Sequence, residues 1–180
     1  MKKSLLLTIA LLLATSFAYG QSSTGTTTIS LTVGAEAALT VAATPALTST
    51  GTNFSNYTAT TSLTYFIRTT AVGGSGSVVL QVTTDFPCAS GGPCVAAPPT
   101  AGDALKYTSS GSNPGNNGTA TFYSALTAST SAQTNVATFG ADNRSLIGGN
   151  SASVAWTLTN DPKYKTGSYS ATVTFTISAT

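Results

Sequence analysis

A chain of 180 residues with no histidine, two cysteines and only 7% charged side chains excludes several chemistries at once. Without histidine, the common Ser-His-Asp and Cys-His catalytic arrangements cannot be built. The formal charge of +2 comes from Lys2 and Lys3; Arg68, Lys106, Arg144, Lys163 and Lys165 balance Glu36, Asp85, Asp103, Asp142 and Asp161, which leaves no basic patch for nucleic acid or an anionic membrane.

The first twenty residues read as a secretory signal peptide, spanning 1–20. Lys2 and Lys3 form its positive end, Leu5 to Ala14 its short apolar core, and Ala18-Tyr19-Gly20 its small-residue cleavage site. The apolar core is too short to cross the ~30 Å of bilayer hydrocarbon as a helix, and no later stretch is apolar enough to do so. The mature protein then starts near Gln21, and the expected localisation is export through a periplasm to the cell surface or beyond. What remains is enough chain for one domain with a real core.

Residues 21–35 form an N-terminal extension with a loose polar beginning. From Thr26 to Ala35 it alternates: Ile29, Leu31, Val33 and Ala35 share one parity, Thr28, Ser30, Thr32 and Gly34 the other. Successive residues of a strand face opposite sides, so the pattern predicts a strand with one apolar face. Leu39 and Val41 continue it until Pro45. Thr48 to Thr61 is polar and turn-rich. Ser62 to Thr70 predicts a strand with Leu63, Tyr65 and Ile67 inward, and Gly73-Gly74-Ser75-Gly76 predicts a turn. Ser77 to Thr84 then returns with Val78, Leu80 and Val82, and the two strands are expected to form a hairpin.

Asp85 to Asp103 is the one long irregular stretch, with Pro87, Pro93, Pro98, Pro99 and both cysteines. Short strands are expected at Leu105–Tyr107, Thr119–Leu126 and Thr134–Phe139, with a flexible run at Ser109–Gly118 between the first two. Ala152, Val154, Trp156 and Leu158 line one face of another strand. The last stretch, Gly167 to Thr180, alternates longest: Tyr169, Ala171, Val173, Phe175, Ile177 and Ala179 against six hydroxyl residues. About eight strands separated by turns, with no helical period after residue 20, predict an all-β protein. Its expected form is an antiparallel Ig-like β-sandwich over 36–180.

Cys88 and Cys94 lie six apart across a flexible Ala-Ser-Gly-Gly-Pro bridge, which in an exported protein predicts a disulfide stiffening a surface loop. A metal or redox pair would need further ligands, and there is no histidine or third cysteine. Asp142-Asn143 and Asn160-Asp161 read as turn residues making Asx bonds in preference to calcium ligands. Tyr57, Tyr123 and Tyr164 are expected to pack in the core or at its rim, with sugar stacking as the alternative. Neither a catalytic residue, a cofactor-binding residue nor a metal ligand is assigned, and the chain is expected not to be an enzyme.

A signal peptide, an alternating N-terminal segment, a sandwich, and a final G-S-Y-S-A-T-V-T-F-T-I together resemble the spore coat protein U-like and chaperone–usher pilin subunits. Such subunits end on Gly-x-Tyr followed by an alternating strand. The likeness is carried by Gly167, Tyr169 and Val173, Phe175 and Ile177, and more loosely by Thr26 to Val41. The chain departs from that pattern in lacking a cysteine at Gly34–Ala38 and in carrying Ala179 where those subunits have an aromatic. The resemblance implies a sandwich missing one strand, completed by the N-terminal segment of another subunit. Ile29, Leu31 and Val33 would then be donor-strand residues, and the strand bearing Gly167, Tyr169, Val173, Phe175 and Ile177 would border the acceptor groove. The implied partners are further copies of the chain in a head-to-tail homopolymer, a periplasmic chaperone and an outer-membrane usher. The expected function is a secreted structural subunit of a surface fibre or coat. The alternative is a monomeric extracellular carbohydrate-binding or adhesion module.

Overall fold

A computed structural model describes residues 25–43 and 45–180; the signal peptide expected at 1–20 and the start of the mature chain near Gln21 lie outside the described residues. The chain divides into two units, Met1–Thr32 and Val33–Thr180. In the first unit, residues 25–32 form no helix or strand, and Ile29 and Leu31 are 91% and 84% exposed. The strand expected over Thr26–Ala35 is therefore not formed.

The second unit is all-β. Its strands are β1 (Glu36–Val41), β2 (Tyr57–Arg68), β3 (Gly76–Thr84), β4 (Lys106–Gly111), β5 (Ala120–Phe122), β6 (Leu126–Thr127), β7 (Thr134–Phe139), β8 (Asn150–Leu158) and β9 (Thr172–Ala179). They pair antiparallel into two sheets, ordered β1-β2-β8-β4-β6 and β5-β7-β3-β9. Period-two patterning explains the layering, because each long strand turns one apolar parity inward. Leu63, Tyr65 and Ile67 of β2, Val154, Trp156 and Leu158 of β8, and Val78, Leu80 and Val82 of β3 are all buried.

Several polar groups taken into this core have partners. Trp156 Nε1 donates to the buried Thr61 Oγ1 at 2.8 Å, and Tyr107 donates to the Asn135 carbonyl at 2.7 Å. Tyr65 donates to the Ser112 carbonyl, and burial pushes its phenol pKa up to about 12. Asn143, which is also buried, donates to the Gly140 carbonyl, while Thr69 Oγ1 accepts from its backbone N–H. The Asp142-Asn143 pair thus does the work of a turn.

Three further expectations are corrected. β2 and β3 do not form a hairpin, because they belong to different sheets. The turn between them crosses the sandwich instead. Thr69 N–H donates to the Asn143 carbonyl, Thr70 N–H to Thr180, and the Thr70 carbonyl accepts from Asp142. Second, the polar stretch before Ser62 is strand from Tyr57 onward, paired with β8 from Tyr57↔Leu158 to Tyr65↔Asn150. Third, Thr119–Leu126 is split between β5 and β6, which lie in opposite sheets, and Ala125 at its break has φ of 56°.

Candidate functional site

Each sheet ends on the same side of the sandwich with a strand that has one partner. Among the described residues β1 pairs only with β2 and β9 only with β3, and the two lie against one another across the sandwich. The inward row of β9, Val173, Phe175, Ile177 and Ala179, is half-buried, whereas the neighbouring inward row of β3 is fully buried. Opposite it, Ala37 and Leu39 of β1 are half-buried and Val41 is exposed. A cavity of about 590 Å³ opens along this seam, with Val41, Phe86, Leu105, Trp156, Tyr169 and Phe175 among its lining residues. Trp156 forms part of its floor and packs edge-on against Phe175 with ring centroids 6.5 Å apart. The seam therefore combines an incompletely covered apolar row with two unpaired strand edges, the two features an added strand uses.

β9 starts later than the alternation at Gly167 predicts, because β3, its only partner, ends at Thr84 opposite Thr172. Before it, Tyr169 Oη donates to the Lys165 carbonyl at 2.9 Å, and the Tyr169 ring lies so close over Gly92 that a Cβ there would overlap it. Gly167 sits beside the same ring. Of the terminal-strand residues, Val173, Phe175 and Ile177 thus lie on β9, while Gly167 and Tyr169 form its lead-in at one rim of the cavity. Val33 is 59% exposed and, like Ile29 and Leu31, outside any strand.

Cys88 and Cys94 form a disulfide. Its loop is tied to the rim through Gly92 under Tyr169 and through the Lys165 N–H, which donates to the Gly91 carbonyl. Asp85 organises this loop, a role that no motif around it announces. Its Oδ1 accepts from the N–H groups of Phe86 and Val95 at 2.7 and 2.8 Å, and its Oδ2 from that of Ala96 at 2.8 Å. Asp85 and the two sulfurs lie within 4.8 Å of one another. With the sulfurs bonded to each other, they supply no thiolate pair for a metal. Asp85→Ala strips the acceptor from three backbone donors and is expected to cost roughly 2–4 kcal/mol. Replacing both cysteines with serine is expected to cost about 2 kcal/mol for so short a loop. Urea melts of the variants check both values.

No family model matches the chain, and no curated protein or solved structure matches it significantly.

Proposed function

We propose that the protein is an exported structural subunit of a surface fibre or coat, and that its copies join by strand donation. The observation that carries this reading is the half-buried inward row of β9 beside an open cavity, in a chain that holds three alternating aliphatics exposed ahead of β1. In the proposed assembly, Thr26–Ala35 of one copy lies along the β1–β9 seam of the next, with Ile29, Leu31 and Val33 filling the uncovered row. Ten extended residues reach ~33 Å, enough to run beside the 8 residues of β9.

In this reading the segment is supplied by the next copy, which makes the contact head-to-tail. Because such a contact does not close on itself, repetition gives a filament. A periplasmic chaperone and an outer-membrane usher would be the assembly partners, and no catalytic role is proposed.

The test is the size of the purified mature chain, by light scattering and by unheated SDS gels. A ladder of SDS-resistant multimers is the expected result. A monomer at all concentrations, with Ile29 and Leu31 protected within their own molecule, would defeat the proposal.

A further inference from the structure

Two apolar features at opposite ends of the sandwich take no part in the seam. Among the described residues, the large hydrophobic side chains left exposed beyond the N-terminal extension are Val41, Phe54, Val72, Leu146 and Ile147. Val41 lines the seam, and the others divide between the two ends of β2. Phe54 lies in the loop just before Tyr57, where β2 starts, and Val72 in the turn just after Arg68, where it finishes. Leu146 and Ile147 are at that second end too, since the Ser145 N–H donates to the Ile67 carbonyl and Asn150 pairs with Tyr65. The 12 residues of β2, at ~3.3 Å each, set the two ends roughly 36 Å apart.

The second end holds a socket. An open cavity of about 650 Å³ lies beside the paired residues Ala38 and Phe66, with Arg68, Arg144, Leu146 and Ile147 around it. Leu146 and Ile147 stand in a turn closed by the Gly149 N–H, which donates to the Leu146 carbonyl at 3.0 Å, and by the Leu146 N–H, which donates to Asn150 Oδ1 at 3.2 Å. Leu146 lies so close to Gly115, and Phe66 to Gly149, that a Cβ on either glycine would overlap the neighbouring side chain. The apolar walls are thus propped from behind. Each arginine has an acidic partner, Glu36 for Arg68 and Asp142 for Arg144, so the socket carries no net charge and fits an uncharged, apolar occupant.

The first end holds such a group. Asn53 and Phe54 have φ of 32° and 55°, a left-handed backbone that bulky side chains rarely adopt. The loop holds them there: Ser49 Oγ donates to the Ser55 carbonyl at 2.8 Å, and the Gly51 N–H donates to Ser55 Oγ at 3.0 Å. A costly backbone conformation therefore keeps an apolar ring 61% exposed.

We propose that Phe54 of one copy seats in the Phe66–Leu146–Ile147 socket of the next. The contact rests on the fibre reading, which supplies the second copy as occupant. The extension joins β1 at Glu36, itself a socket residue, so in a head-to-tail row the socket end of one copy faces the opposite end of its neighbour, where Phe54 stands. The Phe54 loop also follows closely on Ala46 and Leu47, which line the cavity that the extension is to enter. Like strand donation, a knob and socket at unlike ends repeat along a row without closing on themselves. A single donated segment leaves two copies free to swivel, and a second contact beside it fixes the angle at which they meet.

The test uses one chain carrying both Phe54→Cys and Ile147→Cys, treated with a short bismaleimide under conditions that give multimers and then boiled in SDS. Cys88 and Cys94 are bonded to each other and do not react, and the two introduced thiols are too far apart within one copy to be bridged. A covalent ladder is expected, and neither single-cysteine chain should give a covalent product. Phe54→Asp is expected to lower the yield of multimers severalfold while the urea midpoint of the monomer stays unchanged, because the ring is exposed and aspartate tolerates a left-handed backbone better. Multimers that give no covalent ladder, or that form at the native yield in Phe54→Asp, would overturn the contact and leave donation standing. A covalent dimer from either single-cysteine chain would overturn it in favour of like ends meeting. A chain that forms no multimers at any concentration would take down the fibre reading and this contact together.

Discussion

Aspartate at positions 29, 31 and 33 is expected to leave the chain folded and to abolish the proposed multimers. Ile29 and Leu31 are almost fully exposed and Val33 largely so, so Ile29→Asp, Leu31→Asp and Val33→Asp remove no core contact from the subunit that carries them. In the proposed assembly the same residues enter a neighbour's seam. Burying three such aliphatics contributes roughly 5–8 kcal/mol before ordering costs. Carboxylates would forfeit that gain and add the cost of taking unpaired charges out of water. The multimer ladder should vanish while the urea midpoint of the monomer stays put. A ladder that survives the triple substitution would refute donation by this segment. A loss of both ladder and fold would show that the segment belongs to its own subunit's core.

Trp156→Ala is expected to be the most damaging single substitution in the sandwich, at roughly 3–5 kcal/mol. The indole packs against Tyr107 of its own sheet, ring centroids 5.7 Å apart, and reaches Phe175 of the other. Removing it breaks a contact between the layers beside the existing cavity, and the void enlarges instead of collapsing. It also strands the buried Thr61 hydroxyl, to which Nε1 donates. Thermal or urea melting of the mature chain gives the cost directly. Trp156→Phe restores ring packing but not the hydrogen bond, and should recover a large part of the loss. A cost below about 1.5 kcal/mol, the range of volume-conserving swaps, would mean that the seam relaxes around the hole.

The all-β class and most inward residues could be read from the sequence because a strand's period of two is local. Leu63, Tyr65 and Ile67, Val78, Leu80 and Val82, and Val154, Trp156 and Leu158 each announce their face without reference to any partner. Strand ends were less legible because they are set by neighbours. The alternation at Gly167–Ala171 continues into β9, yet the strand begins only where β3 is there to pair with it. Likewise, the alternation at Thr26–Ala35 is as regular as any, but no strand forms without a partner edge.

The misplaced hairpin has a similar cause. Gly73 to Gly76 provides the freedom a tight return needs, with φ of 69° at Gly73. The destination is fixed instead by distant residues, Asn143 and Thr180, which bind the turn. Of the candidate site, the apolar row of β9 was visible in the chain, whereas the cavity was not. Phe86, Leu105 and Trp156 come from three separate stretches, and only the layering brings them to one seam. Asp161 was legible in part: its Oδ1 accepts from the Lys163 N–H, as the expected Asx bond does, whereas its bond from Thr100, 61 residues away, had no local signal.

The outer faces carry a consequence of their own. Hydroxyls meet across neighbouring strands at Ser77–Ser178, Thr83–Thr174 and Ser110–Ser153. Among the described residues the ion pairs are Arg68–Glu36 and Arg144–Asp142, all four side chains well exposed. Neutral oxygens hold water without setting up a field that dissolved ions can screen, and exposed pairs of this kind contribute little. The melting temperature should hardly move between dilute buffer and buffer with added sodium chloride.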